Sequence, residues 1–211
     1  MNANAPFGFR PARHVSALGH SLGKYTIASG LAEDIAIGDL VKSDGNGGIR
    51  KAAAGDAFLG SFQGYHIDVQ SLDGASYAGA SDGTIPFGQV WKSGTTYPAG
   101  ASVVALVHDD PGETFKVQSS VAITAADIGS LVNLADATPD LFMKASRQTV
   151  DKTGGAPSQF RIERILQEPV RLADANNNTL GFGLSGTGNY AILEVKAMKH
   201  ERGGAAMGVA V

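Results

Sequence analysis

The chain has 211 residues, of which 28 are glycine, 18% are charged and 7% are aromatic, and its formal net charge is −3. Such a length carries one large β domain or two small ones, and so much glycine disfavours long helices. The weak negative charge leaves no electrostatic footprint for nucleic acid, no apolar run approaches the roughly 20 residues that cross a bilayer, and the absence of cysteine excludes thiol chemistry.

The opening stretch Ala5-Pro6-Phe7-Gly8-Phe9-Arg10-Pro11-Ala12-Arg13-His14 combines aromatics, prolines and basic residues. Pro6 and Pro11 fix φ and lack a ladder N–H, and each biases its predecessor toward extended backbone. Residues 1–23 therefore read as an extended arm. Its sticky side chains, Phe7, Phe9, Arg10 and Arg13, are the candidate contact residues, on another protein or on a sister subunit. Such an arm is expected to be removable without loss of the folded body. Met1 to Asn4 lacks the basic and apolar regions of a secretory signal, so assembly in a cytoplasm is expected.

Residues 24–200 read as a β-rich body. Lys24 to Ala28 alternates as a short strand, and Asp44-Gly45-Asn46-Gly47-Gly48 marks a hairpin over residues 40–53. Phe58 to Val69 is a longer strand whose Gly60 and Gly64 predict a bulge or close backbone approach. Thr84 to Lys92 follows as a strand whose Pro86 suggests an edge or bulged position. Ser102 to His108 and Glu113 to Gln118, separated by Asp109-Asp110-Pro111-Gly112, read as a hairpin.

Thr124-Ala125-Ala126-Asp127 has capping-box spacing with Asp in the last place and predicts one short helical turn, ended by Gly129. Ser130 to Leu134 and Leu141 to Ala145 read as short strands, and Gln159 to Leu166 as a strand with one mixed face. Residues 173–189, rich in Asn and Gly, read as a long loop. Tyr190 to Met198 is the final strand, and residues 201–211 form a tail of small residues. No helical period persists, so the fold class is all-β, a single barrel- or sandwich-like domain.

Little chemistry stands out. Gly181-Phe182-Gly183-Leu184-Ser185-Gly186 has dinucleotide-fingerprint spacing but is not followed by a helix pattern. His108-Asp109-Asp110 with Glu113 resembles a divalent-ion cluster, but turn chemistry accounts for every one of its residues. His14, His20, His66 and His200 lack ligand spacing. The expectation is no catalytic residue, no cofactor and no metal. A different reading is a carbohydrate-binding module, with Trp91, Tyr97 or Tyr77 as the stacking platform.

Several stretches, taken in order, carry a resemblance. They are Ala5-Pro6-Phe7-Gly8-Phe9-Arg10-Pro11, Ala54-Gly55-Asp56-Ala57-Phe58-Leu59-Gly60, Val107-His108-Asp109-Asp110-Pro111 with Phe115-Lys116-Val117-Gln118, Ala126-Asp127-Ile128-Gly129 and Gln159-Phe160-Arg161-Ile162. Together they resemble the capsid decoration (cement) proteins of tailed bacteriophages. The resemblance spans about residues 5–200, each piece being short and weakly specific. It implies a β-tulip-like body on the outer face of an icosahedral capsid. The implied partners are the major capsid protein and the chain itself, as a homotrimer before a homodimer, with no nucleic acid and no membrane. It implies no catalytic residues. A head-fibre or tail-associated role is the neighbouring alternative.

Overall fold

The computed structural model describes residues 3–14, 22–68, 87–97, 101–152, 158–167, 169–173, 179–184 and 186–202. The strands in chain order are β1 (Arg10–His14), β2 (Gly23–Thr26), β3 (Ile35–Ala36), β4 (Leu40–Ser43), β5 (Ile49–Lys51), β6 (Gly60–Asp68), β7 (Phe87–Gly88) and β8 (Val90–Trp91). They continue as β9 (Ser102–His108), β10 (Glu113–Gln118), β11 (Leu131–Ala135), β12 (Thr149–Asp151), β13 (Phe160–Ile165), β14 (Pro169–Ala173), β15 (Thr179–Leu184) and β16 (Ile192–Ala197). The protein is all-β and its sheets are antiparallel, consistent with a β-sandwich.

Two six-stranded sheets carry the fold. The first has the order β2-β9-β6-β4-β5, with β7 added to β6, and the second has β1-β10-β16-β13-β11-β12. Each curls back on itself. Thr26 bridges Gly48 and so brings the β2 edge to the β4–β5 turn, while Ser119, just past β10, bridges Val150 in β12. Curling of this kind shortens the open edges that would otherwise pair with foreign strands.

Each sheet encloses its own apolar cluster. Ile27, Phe62, Trp91, Val103 and Val107 fill the first. Phe115, Val117, Phe160, Leu193 and Val195 fill the second. Their common wall is β4 and the chain just before β6. Successive strand side chains point to opposite faces, so Leu40 enters the second cluster and Val41 the first. Phe58 and Leu59 divide in the same way. The Leu59 N–H donates to the Val41 carbonyl at 2.7 Å, which ties the two segments together.

The capping-box spacing at Thr124 produces a 3-10 turn over Ala125–Asp127. The Asp127 carboxylate accepts both the Thr124 N–H (2.7 Å) and its hydroxyl (2.9 Å). Its acidity is increased first by that backbone bond and then by Lys152 and the Thr124 hydroxyl.

Three expectations change. Ser102–His108 and Glu113–Gln118 are strands, but they are not a hairpin. β9 is flanked by β2 and β6, and β10 by β1 and β16, so the Asp109–Gly112 turn carries the chain from one sheet to the other. Leu141 to Ala145 is a turn and not a strand. Asp140 Oδ1 accepts the N–H groups of Phe142 and Met143 (3.0 and 2.9 Å), and Lys144 takes a φ of 55°. The long loop expected over 173–189 is in good part the hairpin β14–β15. Residues 84–86, from the start of the expected Thr84–Lys92 strand, and residues 203–211 of the tail lie outside the described residues.

Gly60 is a point of enforced close approach. A Cβ there would lie 1.7 Å from the His108 carbonyl oxygen, a backbone atom that cannot yield cheaply. Gly60→Ala is expected to cost about 3 kcal/mol or more, seen as a lower urea midpoint at an unchanged slope.

Candidate interaction surface

The N-terminal segment is built into the body as far as residue 14. Gly8 adopts φ 73°, and a Cβ there would lie 2.4 Å from that of Ser146 and 2.6 Å from the Gly38 carbonyl. This contact seats the chain so that the Phe9 N–H donates to Gly38 O at 2.8 Å. The Phe9 carbonyl in turn accepts the Ser61 hydroxyl at 2.6 Å. β1 then pairs with β10, from Arg10 opposite Lys116 to His14 opposite Glu113.

Phe9 is a correction to the expected contact set. It is fully buried in the second cluster. Its ring stacks on Phe160 at 5.0 Å and meets Phe115 edge-on at 6.2 Å, while Phe58 stacks on Phe160 at 4.9 Å. A ring held among its own chain's aromatics cannot also fill a pocket on a partner. The arm expected to be detachable is instead, in this part, a piece of the core.

Arg13 is tied inward as well. Glu194 on β16 is fully buried and accepts Arg13 Nε at 2.5 Å, Arg164 Nε at 2.5 Å and the Thr114 hydroxyl at 2.9 Å. Burial pushes this carboxyl up, but the Arg13, Arg164 and Thr114 hydrogen bonds outweigh it and leave it more acidic than an ordinary glutamate. One carboxylate thus links β1, β10, β13 and β16. Phe7 is half-buried and Arg10 exposed, the Arg10 guanidinium lying 5.3 Å from the centre of the Phe7 ring.

Ser146, against which Gly8 packs, stands at the base of a feature that periodicity did not reveal. Leu141, Phe142 and Met143 are 39%, 91% and 68% exposed, the one consecutive run of exposed large apolar side chains among the described residues. Asp140 and Ala145 exchange backbone hydrogen bonds (2.9 and 3.2 Å) that close the turn. The Ser146 N–H donates to Ile37 O at 2.9 Å. Buried Gln148 anchors the base, accepting the Leu40 N–H at 2.8 Å and donating to Asp136 at 3.0 Å. Lys51 Nζ donates to the Ala137 carbonyl at 2.7 Å and pairs with Asp136 at 2.8 Å. The only sequence cue was Thr138-Pro139-Asp140, a turn opener. An open cavity of about 400 Å³, lined by Asn4, Pro6, Thr138, Arg147 and Tyr190 among others, adjoins the turn.

Asp39 sits behind this surface, fully buried, and accepts the Ala36 N–H at 2.8 Å. Burial raises its pKa to about 6, against the opposing pull of Lys51, the Ala36 N–H and Ser146.

The other sequence candidates resolve into structure. Asp109 accepts the Tyr25 hydroxyl at 2.5 Å and also pairs with Arg202, and Asp110 Oδ1 accepts the Gly112 N–H at 2.7 Å. Burial and Asp109 push the Tyr25 phenol up to about 12. Among the described residues no group of His, Asp and Glu is placed to hold a metal ion. Residues 181–184 form part of β15, so that glycine pattern does not open a helix as a dinucleotide loop must. Trp91 is buried between Tyr65 (5.6 Å) and Tyr97 (6.4 Å), and the Tyr97 hydroxyl is bonded to Ile27 O at 2.8 Å. Trp91 cannot serve as a sugar platform, and Tyr77 lies outside the described residues.

No protein-family model, curated protein or solved structure matches this chain.

Phe9→Ala is expected to destabilise the fold by about 3–5 kcal/mol, and deletion of residues 2–14 to yield insoluble or unfolded chain, read by circular dichroism and solubility. For Asp39 the raised pKa means that its contribution is fully present below about pH 4 and is lost as pH rises through about 6. Asp39→Asn mimics the protonated side chain. Its stability relative to the parent should therefore improve from pH 4 to pH 7, as measured by urea unfolding at both values.

Proposed function

We propose that this chain is a virion structural protein that decorates the outer surface of an icosahedral phage capsid and stabilises it by bridging capsomers. The observation that carries the reading is the braced turn that holds Phe142 and Met143 in solvent, its base at Ser146 packed against Gly8 of the N-terminal segment. Apolar side chains kept exposed on a rigid support mark a surface built for contact. The resemblance in chain order to cement proteins supplies the kind of partner, the major capsid protein, with the chain acting as a small homo-oligomer.

Under this reading no single contact needs to be tight. An oligomer touching several capsomers makes each later contact intramolecular, so modest interfaces multiply in effect. Preference for an expanded shell over an immature one would stabilise the expanded state by mass action. The protein would then resist internal pressure through surface fit alone, without a catalytic step.

Electron microscopy of mature particles made with and without the protein tests the reading. The expected result is additional density on the outer capsid face when the protein is present, and earlier rupture on heating when it is not. Density confined to a head fibre or the tail, or absence from mature particles, overturns it.

A further inference from the structure

The cations around the exposed turn sharpen the choice of partner. Lys144 lies within the turn and Arg147 just beyond it; both are exposed, and neither has an ion-pair partner among the described residues. Residues 140–147 carry one carboxylate, Asp140, against these two cations. Asp140 accepts the N–H groups of Phe142 and Met143, and Asp136 is held by Lys51 and Gln148. On a chain of net charge −3 this tip is locally positive, with an apolar centre.

We propose that residues 140–147 are the docking element of the decoration surface, seating Phe142 and Met143 in an apolar pocket rimmed by carboxylates on the shell protein. This rests on the decoration reading above and names the partner chemistry of that same surface. An aromatic and a methionine at the centre with cations at the rim is the usual division of labour at a protein interface. A second copy of this chain fits less well, because the cavity adjoining the turn is itself lined by Arg147 and would set cation against cation. An anionic membrane is also disfavoured, since surface attachment typically uses clusters of about 4–8 basic residues, far more than this turn carries.

The test uses the full chain and purified expanded heads, with two variants. Phe142→Ser/Met143→Ser removes the apolar centre. It is expected to weaken head binding about 30-fold, chiefly through faster dissociation, with melting temperature and oligomeric state unchanged. Lys144→Glu/Arg147→Glu reverses the rim. It is expected to slow association about tenfold at low salt, with the difference vanishing at high salt. If both variants bind heads as the parent does, the docking inference falls and the decoration reading stands. If the parent itself does not bind heads, the decoration reading falls and takes this inference with it. A change of oligomeric state in the Phe142/Met143 variant assigns the turn to self-association and overturns the proposal. Parent binding to phosphatidylserine–phosphatidylcholine vesicles that the same variant abolishes overturns it in favour of a lipid surface.

Discussion

The alternation of side chains across a strand is the constraint on which this architecture depends. At Leu40–Val41, and again at Phe58–Leu59, neighbouring residues are sent into different apolar clusters, so two curled sheets share one wall. A shift of one residue in either segment would exchange the side chains offered to the two clusters and spoil both together. Backbone bonds fix the alignment. Ala52 N–H donates to Leu40 O, Leu59 N–H to Val41 O, and the buried Gln148 side chain caps the Leu40 N–H.

The same wall positions the contact surface. Ile37, at the start of the tight bend into β4, accepts the Ser146 N–H, and Gly38 accepts that of Phe9. The N-terminal segment and the 140–147 turn are therefore placed by adjacent carbonyls of one short bend. Their proximity does not rely on flexible side chains. Glu194 secures the far side of the second sheet, where its two arginines keep a buried carboxylate charged and joined to four strands. Removing one of these partners would leave charge imperfectly compensated in the interior, a costlier change than losing a surface ion pair.

Much of the strand content was legible because period-two alternation and glycine-rich turns are local signals. Lys24–Ala28, the 40–53 hairpin, the Phe58 strand and the Tyr190 strand all follow from them, and the Asp127 turn follows from its capping chemistry. Pairing was less legible. The sequence places a turn at Asp109–Gly112 but does not say that β9 already has two neighbours, which is a property of the whole sheet. Leu141–Ala145 is a short, mostly apolar run that reads as a strand, yet Asp140 gathers two successive N–H groups and bends the chain away from extended backbone. Phe9 reads as an outward anchor because a short apolar segment among prolines looks alike whether it docks elsewhere or at home. Its destination among Phe115, Phe58 and Phe160 is set by residues far along the chain.

The strand order also governs the sequence of events during synthesis. The main strands of the first sheet come from residues 23 to 108, so they can pair while the ribosome is still making the remainder. The second sheet is different: β1 (Arg10–His14) lies beside β10 (Glu113–Gln118), which is itself paired with β16 (Ile192–Ala197). The Phe9 ring partners therefore come from far along the chain. Phe9 waits for Phe115 and then Phe160 to be made, and the second sheet closes only once residues 192–197 have cleared the exit tunnel, a long-range pairing that sets the pace of its assembly.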